Sequence, residues 1–285
     1  MSLTPREIPT GAVRYNTDSN KMEVYIGSTW MEVAVSSPNL DGGVRGLFGG
    51  GATPSNSDVI DFITISTTGD ATDFGNLLDS KGAHAGCGNE TRGLFGGGNP
   101  ETSSNKTDGI EFITIASTGN GVDFGNLNAA TASLCATASP TRGLFMGGYT
   151  PTTLNTIQFV TVASTGNTQD FGDLTEVRQE AAAFANATRA ICAGGGPASA
   201  AQGSIDFLTI ATTGNATNFG SLNNNMQSAM GATSSPTRGV VTTGTGVTNI
   251  IEYVEIMTTG DTVDFGDLSV TREIGATCSN GHGGL

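Results

Sequence analysis

The sequence predicts an all-β fold, because one 18-residue segment occurs five times and each copy reads as strand, turn and strand. The clearest copy, Ile110–Leu127, reads I-E-F-I-T-I-A-S-T-G-N-G-V-D-F-G-N-L. The phenylalanine of its D-F-G element recurs after 50, 47, 48 and 46 residues, and no segment keeps a helical period. The five copies are Ile60–Leu77, Ile110–Leu127, Ile157–Leu174, Ile205–Leu222 and Ile251–Leu268.

Each repeat is expected to contain four short strands. A small polar run such as Ala232–Ser235 comes first, and an R-G-L-F-G-G-G element such as Arg45–Gly51 follows it. The third strand, Ile110–Ile115 in the second copy, has Ile or Phe on both faces, which is typical of a strand buried between two sheets. The T-G-N or T-G-D segment after it has the residues of a tight turn, so strands three and four should form a hairpin.

Four strands in each 46–50 residues predict a five-bladed β-propeller over residues 36–285, with an open solenoid as the competing architecture. The C-terminal segment Gly275–Gly283 aligns with Gly231–Gly239, which contains the first strand of the fifth repeat. We therefore expect this segment to close the ring by completing the first blade, since an open array would leave it unpaired. Val35–Pro38 competes for the same position.

Residues 1–35 do not match the repeat and predict a separate β-meander. In Lys21–Ile26 the alternation places Met22, Val24 and Ile26 on one face, and Glu23 and Tyr25 on the other. About 25 residues in three strands cannot bury enough apolar surface to be stable alone, so this module should dock on its own propeller, on copies of itself or on a larger partner. The three predicted strands are Gly11–Thr17, Lys21–Ile26 and Trp30–Val33.

The composition describes a folded, turn-rich and acidic protein. Glycine is frequent at 42 residues, yet apolar residues make up 36% and occur in periodic runs. The 26 Asp and Glu residues outnumber the 12 Lys and Arg residues, giving a net charge of −14 that argues against nucleic acid or anionic membranes as partners. The sequence contains no apolar run long enough to span a bilayer, and because its first residues lack an apolar segment we expect no secretory signal.

Five arginines recur at the start of the second strand and have two interpretations. They could form a basic annulus that captures an anion or an acidic glycan. Alternatively, each could join one blade to the next through a carboxylate or carbonyl groups. The five are Arg45, Arg92, Arg142, Arg189 and Arg238.

Two sets of Asp and Asn residues also recur, and they predict either calcium ligands or turn caps. The spacing lacks the dense acidic ladder of known calcium loops, which favours turn capping. Residues before Phe-Gly are Asp73, Asp123, Asp170, Asn218 and Asp264. Turn residues are Asp70, Asn120, Asn167, Asn215 and Asp261.

The sequence gives little support for catalysis, and we predict no catalytic residue, no cofactor and no metal site. His84 and His282 do not recur, and no established hydrolase or phosphate-binding motif is present. Glu255 replaces a Thr of the other copies and is the one candidate for a glycosidase carboxylate. No C-x-x-C pair occurs, so we expect small buried thiols at Cys87, Cys135, Cys192 and Cys278.

The loops between the glycine run and the third strand differ most between copies and are rich in Pro, Ser, Thr and Asn. Variable polar loops on a rigid scaffold are common binding sites. These loops are Ala52–Val59, Asn99–Gly109, Tyr149–Thr156 and Pro197–Ser204.

The N-terminal segment resembles a short module found in phage tail-fibre and other virion proteins, with the pattern G-x-I-R-Y-N-T, turn, N-K-x-E-x-Y and G-x-x-W. The repeat resembles the Gly-rich, kelch-like propeller repeats of marine and cyanobacterial phage structural proteins, without the kelch Tyr and Trp. Residues that match the N-terminal pattern are Gly11, Arg14, Tyr15, Asn16, Thr17, Asn20, Lys21, Glu23, Tyr25, Gly27 and Trp30.

Both resemblances imply a non-enzymatic virion structural protein on the surface of a phage particle. A tail-fibre or spike adhesin that contacts the host is the first expectation, a capsid decoration protein is the alternative, and a glycan-processing propeller enzyme is a third. The resemblance implies attachment to other virion proteins and homotrimer formation through residues 1–35. It also implies contact with a host glycan or receptor through the propeller loops.

Overall fold

The computed structural model describes residues 8–17, 21–33, 45–52, 54–65, 67–100, 105–197, 200–226, 231–243 and 248–272. These residues form an all-β fold of 24 strands in small antiparallel sheets. Among them there is no helix that could cross a membrane. The chain divides into two compact units, Met1–Leu40 and Asp41–Leu285.

The first unit contains a three-stranded antiparallel sheet in the order β1-β2-β3. The three predicted strands are confirmed, with ends shifted by one or two residues. The predicted alternation along β2 is also confirmed, because Tyr25 is buried whereas Met22 and Ile26 are exposed. The strands are β1 (Val13–Asn16), β2 (Lys21–Ile26) and β3 (Thr29–Glu32).

The second unit contains five sheets, one for each repeat, and the strands of each sheet pair in chain order. The first sheet has β4 (Arg45–Gly49), β5 (Val59–Thr64) and β6 (Thr72–Asn76). The second has β8 (Ala85–Gly88), β9 (Arg92–Gly96), β11 (Gly109–Thr114) and β12 (Val122–Asn126). The third has β13 (Cys135–Ala138), β14 (Arg142–Met146), β15 (Thr156–Thr161) and β16 (Gln169–Asp173).

The last two sheets repeat this arrangement, and the predicted four-strand unit is confirmed in repeats two to five. An additional short ladder that the sequence did not predict pairs β7 (Lys81–Gly82) with β10 (Asn99–Pro100). The fourth sheet has β17 (Ala182–Ala185), β18 (Arg189–Ala193), β19 (Gln202–Thr209) and β20 (Thr217–Met226). The fifth has β21 (Ala232–Ser234), β22 (Arg238–Thr242), β23 (Thr248–Glu255) and β24 (Val263–Arg272).

The phenylalanine of D-F-G is the extra residue of a β-bulge in every repeat. In the second sheet Ile110 pairs with Gly125 and Glu111 pairs with Asp123, which leaves Phe124 unpaired between them. A bulge bends the strand and redirects the side chain of the extra residue. The Phe124 ring is 2% exposed and meets Phe112 edge-to-face at 5.9 Å, so the bulge places this phenylalanine in the core, as it does in repeats one, three and four.

The core consists of apolar layers between successive sheets. One layer joins Leu144 and Phe171 of the third sheet to Ala185, Ala190 and Leu208 of the fourth. The third strand is buried on both faces, as the sequence predicts, with Ile110 at 1% exposure and Ile113 at 2%. Each sheet is therefore stabilised by its neighbours. In a repeat protein the contacts between adjacent repeats contribute much of the free energy of folding.

The first sheet has three strands among the described residues, and β4 forms its edge. A groove of about 370 Å³ lies beside β4, against β8 of the second sheet. The predicted completing strand Gly275–Gly283 and its competitor Val35–Pro38 both lie outside the described residues. Residues that line the groove include Arg45, Leu47, Ile65, Cys87, Leu94 and Ile115.

Candidate interaction sites

In repeats two to five, the turn after the third strand lies on the D-F-G strand of the preceding sheet. The backbone N–H of Gly119 donates to the carbonyl of Phe74 at 2.8 Å, and that of Gly121 donates to the carbonyl of Asn76 at 2.7 Å. The side-chain Oδ1 of Asn120 accepts the N–H of Asn76 at 3.0 Å. For four of the five turn residues, the expectation that they cap their own turns is therefore corrected, because their side chains bond the neighbouring sheet. The acceptors are Asn120, Asn167, Asn215 and Asp261.

Glycine in D-F-G is required by the close approach of this turn. A Cβ on Gly172 would lie 2.5 Å from the carbonyl carbon and oxygen of Gly214, and Gly172 has a φ of +143°. Both the backbone conformation and the contact therefore exclude a larger residue. The same contact occurs at four junctions, in the pairs Gly75–Gly119, Gly125–Gly166, Gly172–Gly214 and Gly220–Gly260.

The recurring arginines join each repeat to the next one. Arg92 Nη1 donates to the carbonyl of Val162 at 2.9 Å, and the guanidinium lies 4.5 Å from the centroid of the Phe112 ring. Four of the five arginines bond in this way. For these four, the second interpretation is confirmed, in which each arginine joins two repeats through carbonyl groups. The other three pairs are Arg45–Ile115, Arg142–Ile210 and Arg189–Ile256, at 2.6–2.9 Å.

A row of buried hydrogen-bond acceptors was missed by the sequence reasoning. Glu111, 2% exposed, accepts the N–H of Leu78 at 2.7 Å and pairs with Lys81 Nζ at 2.6 Å. Leu78 and Lys81 belong to the preceding repeat, so this carboxylate also joins two repeats. The signal was present, because the residue between Ile and the following aromatic residue of strand three has an acceptor side chain in every copy. These residues are Glu111, Gln158, Asp206 and Glu252, which are buried, and Asp61, which is partly buried.

The buried acceptors include both charged carboxylates and a neutral amide at equivalent positions. Asp206 pairs with Arg178 at 3.0 Å, and both side chains have no exposed area. At the equivalent position Gln158 is neutral and accepts bonds from Asn128 N–H and Thr168 Oγ1. A buried charge needs a partner and full hydrogen bonding, whereas an amide needs only the hydrogen bonds.

The aspartates before Phe-Gly are exposed, and the described residues contain no cluster of three or more His, Cys, Asp or Glu that could hold a metal ion. Glu255 lies at the exposed end of the fifth sheet, where Arg238 binds its Oε1 at 2.7 Å. Glu255 is thus the partner of the one recurring arginine that does not reach a following repeat.

The described cysteines are free, and two of them are neighbours. Cys135 and Cys192 are buried, and their sulfur atoms lie 3.6 Å apart between the third and fourth sheets. Cys87 is partly buried. Cys278 and His282 lie outside the described residues.

His84 is a partly buried imidazole beside the first junction. Its ring lies 5.9 Å from that of Phe95. Burial, and next the charge of Lys81, lower the pKa of His84 from 6.5 to about 4. The unfolded chain therefore binds a proton that the folded chain does not bind between these two pH values.

Acidification from pH 6.5 to pH 4 is expected to lower the free energy of unfolding by about 3 kcal/mol through His84 alone. The contribution is fully present above pH 6.5 and is lost as the pH falls. Denaturant unfolding of the wild type and of His84→Gln at pH 7 and pH 4 measures it, because the carboxylates titrate in both proteins. Equal losses in the two proteins would contradict the prediction.

The variable loops carry few of the contacts that join repeats. Two of these contacts join loops of different repeats. Asn56 Nδ2 donates to the carbonyl of Asn99 at 2.8 Å. Lys106 Nζ lies 4.5 Å from the centroid of the Tyr149 ring. The loop Tyr149–Thr156 is described completely and presents Pro151 together with Thr and Asn side chains.

No protein-family model matches the chain, and no curated protein is significantly similar to it.

Proposed function

We propose that this protein is a non-enzymatic virion structural protein, a tail-fibre or spike adhesin that contacts the host cell surface. One observation carries the proposal: the recurring polar residues join repeats, whereas the loops that differ between copies contribute only a few such contacts. Asn120, Arg92 and Glu111 each bond a neighbouring repeat. A rigid framework with variable loops is the usual arrangement of a recognition protein.

The proposed ligand of the loops is a neutral or polar surface glycan. The loops offer hydroxyl and amide groups together with the Tyr149 ring, and sugars are bound through such donors, acceptors and aromatic faces. The net charge of −14 disfavours a strongly acidic polysaccharide. Residues 1–35 would attach the protein to other virion proteins and join copies of the chain.

We further propose that the five sheets are the blades of a five-bladed β-propeller. The support comes from the two ends of the array. The fifth sheet exposes the D-F-G surface that the other sheets bury, and the first sheet exposes the third-strand surface that normally covers it. Phe265 is 53% exposed, whereas Phe74, Phe124, Phe171 and Phe219 at the same position are 2–3% exposed. A Cβ on Gly266 would meet nothing within 4 Å, unlike its four counterparts.

The first sheet exposes the complementary surface, at the end of its third strand. Ile65 is 37% exposed, whereas the equivalent Val162, Ile210 and Ile256 are at most 2% exposed and Ile115 is partly buried. The carbonyl groups of these four equivalents accept hydrogen bonds from the recurring arginines. Closure would bring Arg238 to the carbonyl of Ile65, in the manner of the other four arginines.

Two further bonds follow from the repeat register. Asp70 would accept the N–H of Asp267, and Asp61 would accept the N–H of Ser269. The segment Gly275–Gly283 would then lie along β4, where the groove provides the space for a strand.

The test of function is the position of the chain in an intact particle, with antibodies against residues 41–272 and electron microscopy. Label on the tail or its fibres is expected. Label confined to the capsid shell would contradict the adhesin and indicate a decoration protein. Label on no particle would contradict a virion role.

Binding of the purified protein to cells tests the loop assignment. Replacement of Thr150–Asn155 by the corresponding loop of another repeat should abolish binding while the thermal unfolding is unchanged. Unchanged binding by loop exchanges in every repeat would contradict the assignment.

A further inference from the structure

The sheet of the first unit has two chemically different faces. On one face Arg14 Nε donates to Glu23 at 2.7 Å and lies 4.2 Å from the Trp30 ring, and Lys21 pairs with Glu32 at 2.7 Å. The polar groups of this face are thus satisfied within the sheet.

The opposite face, which we call the apolar face, has no charged residue. Val13 pairs with Val24 and Val24 pairs with Met31, so these three side chains form a row across the sheet. Tyr15 pairs with Met22 and continues the face on the next row. Six of its residues are 38–58% exposed, namely Val13, Tyr15, Met22, Ile26, Met31 and Val33.

An exposed apolar face of this extent marks an interaction site in a water-soluble protein. A three-stranded sheet of four to six residues per strand cannot stabilise itself without covering such a face. The other large group of exposed apolar residues lies at the two ends of the repeat array, and the propeller proposed above uses those ends for each other. The apolar face therefore needs a different partner.

Charge favours another copy of the chain as that partner. Residues 1–35 carry three basic and four acidic residues, whereas the remaining 250 residues carry nine basic and 22 acidic residues. Contact between first units joins the nearly neutral parts of the copies and does not require contact between the acidic parts. An uncharged face also complements itself without leaving a buried charge unpaired.

We propose that the apolar face is buried against the same face of other copies and holds the assembly together. The expected number of copies, three, rests on the proposed function. The choice of the face rests on the structure.

The test exchanges two adjacent residues whose side chains point to opposite faces. Met31→Glu puts a carboxylate on the apolar face, and Glu32→Met is the matched control on the polar face. The mass of the full chain is measured by light scattering after size-exclusion chromatography. We expect a multiple of 28.9 kDa for the wild type and for Glu32→Met.

For Met31→Glu we expect the mass of a monomer, with association weakened at least about tenfold because a charge would be buried without a partner. Circular dichroism should show thermal unfolding of the repeat unit unchanged in both variants. An assembled Met31→Glu protein would overturn the assignment of the face while leaving the proposed assembly intact. A monomeric wild type would overturn both the assembly and the assignment of the face. If the wild type is monomeric and Met31→Glu lowers its stability, the face packs on its own chain.

Discussion

Replacement of Gly172 by alanine is expected to destabilise the repeat unit by about 3–5 kcal/mol. Two costs add. The φ of +143° is one that L-residues rarely adopt, and the new Cβ would lie 2.5 Å from the backbone of Gly214. Neither can relax easily, because the backbone of Gly214 is itself hydrogen-bonded to Phe171 at 2.7 Å.

Gly166→Ala is the matched control for this prediction. Gly166 has a similar φ of +155°, but a Cβ there would meet nothing within 4 Å. The control should therefore show only the conformational cost, about 1–3 kcal/mol. Denaturant unfolding followed by circular dichroism measures both variants. Equal destabilisation of the two would show that the contact between sheets contributes nothing.

Replacement of Asp206 by alanine is expected to cost about 3–5 kcal/mol, because it leaves the guanidinium of Arg178 buried without a counter-charge. Arg178 has no exposed area and also donates to the carbonyls of Gly194 and Ser204. These carbonyls satisfy hydrogen bonds but cannot neutralise the charge.

The chain supplies its own control for this prediction. The position of Arg178 is occupied by Met226 in the next repeat, and that of Asp206 by Gln158 in the preceding one. The double variant Arg178→Met, Asp206→Gln copies these neutral residues and should recover more than half of the loss, measured by denaturant unfolding. A double variant as unstable as Asp206→Ala would contradict the charge argument.

The sequence predicts the strands well because their signals are local. The alternation in Lys21–Ile26 and the apolar third strand of each repeat depend on residues within six positions of each other. Hairpins between strands three and four follow from the T-G-N and T-G-D turns for the same reason.

The roles of the recurring polar residues could not be predicted, because their partners are distant in sequence. Asn120 bonds a backbone N–H 44 residues away, and Glu111 bonds one 33 residues away. Within a single repeat Asn120 has the pattern of a turn cap. Only the stacking of the sheets shows that its acceptor oxygen serves the neighbour.

Closure of the ring is the central claim, and one cross-linking measurement tests it directly. In the variant Asp70→Cys, Asp267→Cys, with Cys278→Ser to remove a competing thiol, the two cysteines occupy the proposed closing junction. The control Asn76→Cys, Asn120→Cys occupies the equivalent positions of an existing junction, where Asn120 reaches the backbone of Asn76 at 3.0 Å.

A short thiol-reactive cross-linker and denaturing electrophoresis then identify the product. Closure predicts a link within one chain for both variants, in similar yield. Two results would contradict the closed propeller if the control is linked. In one the Asp70→Cys, Asp267→Cys variant is not linked, and in the other it is linked only between chains.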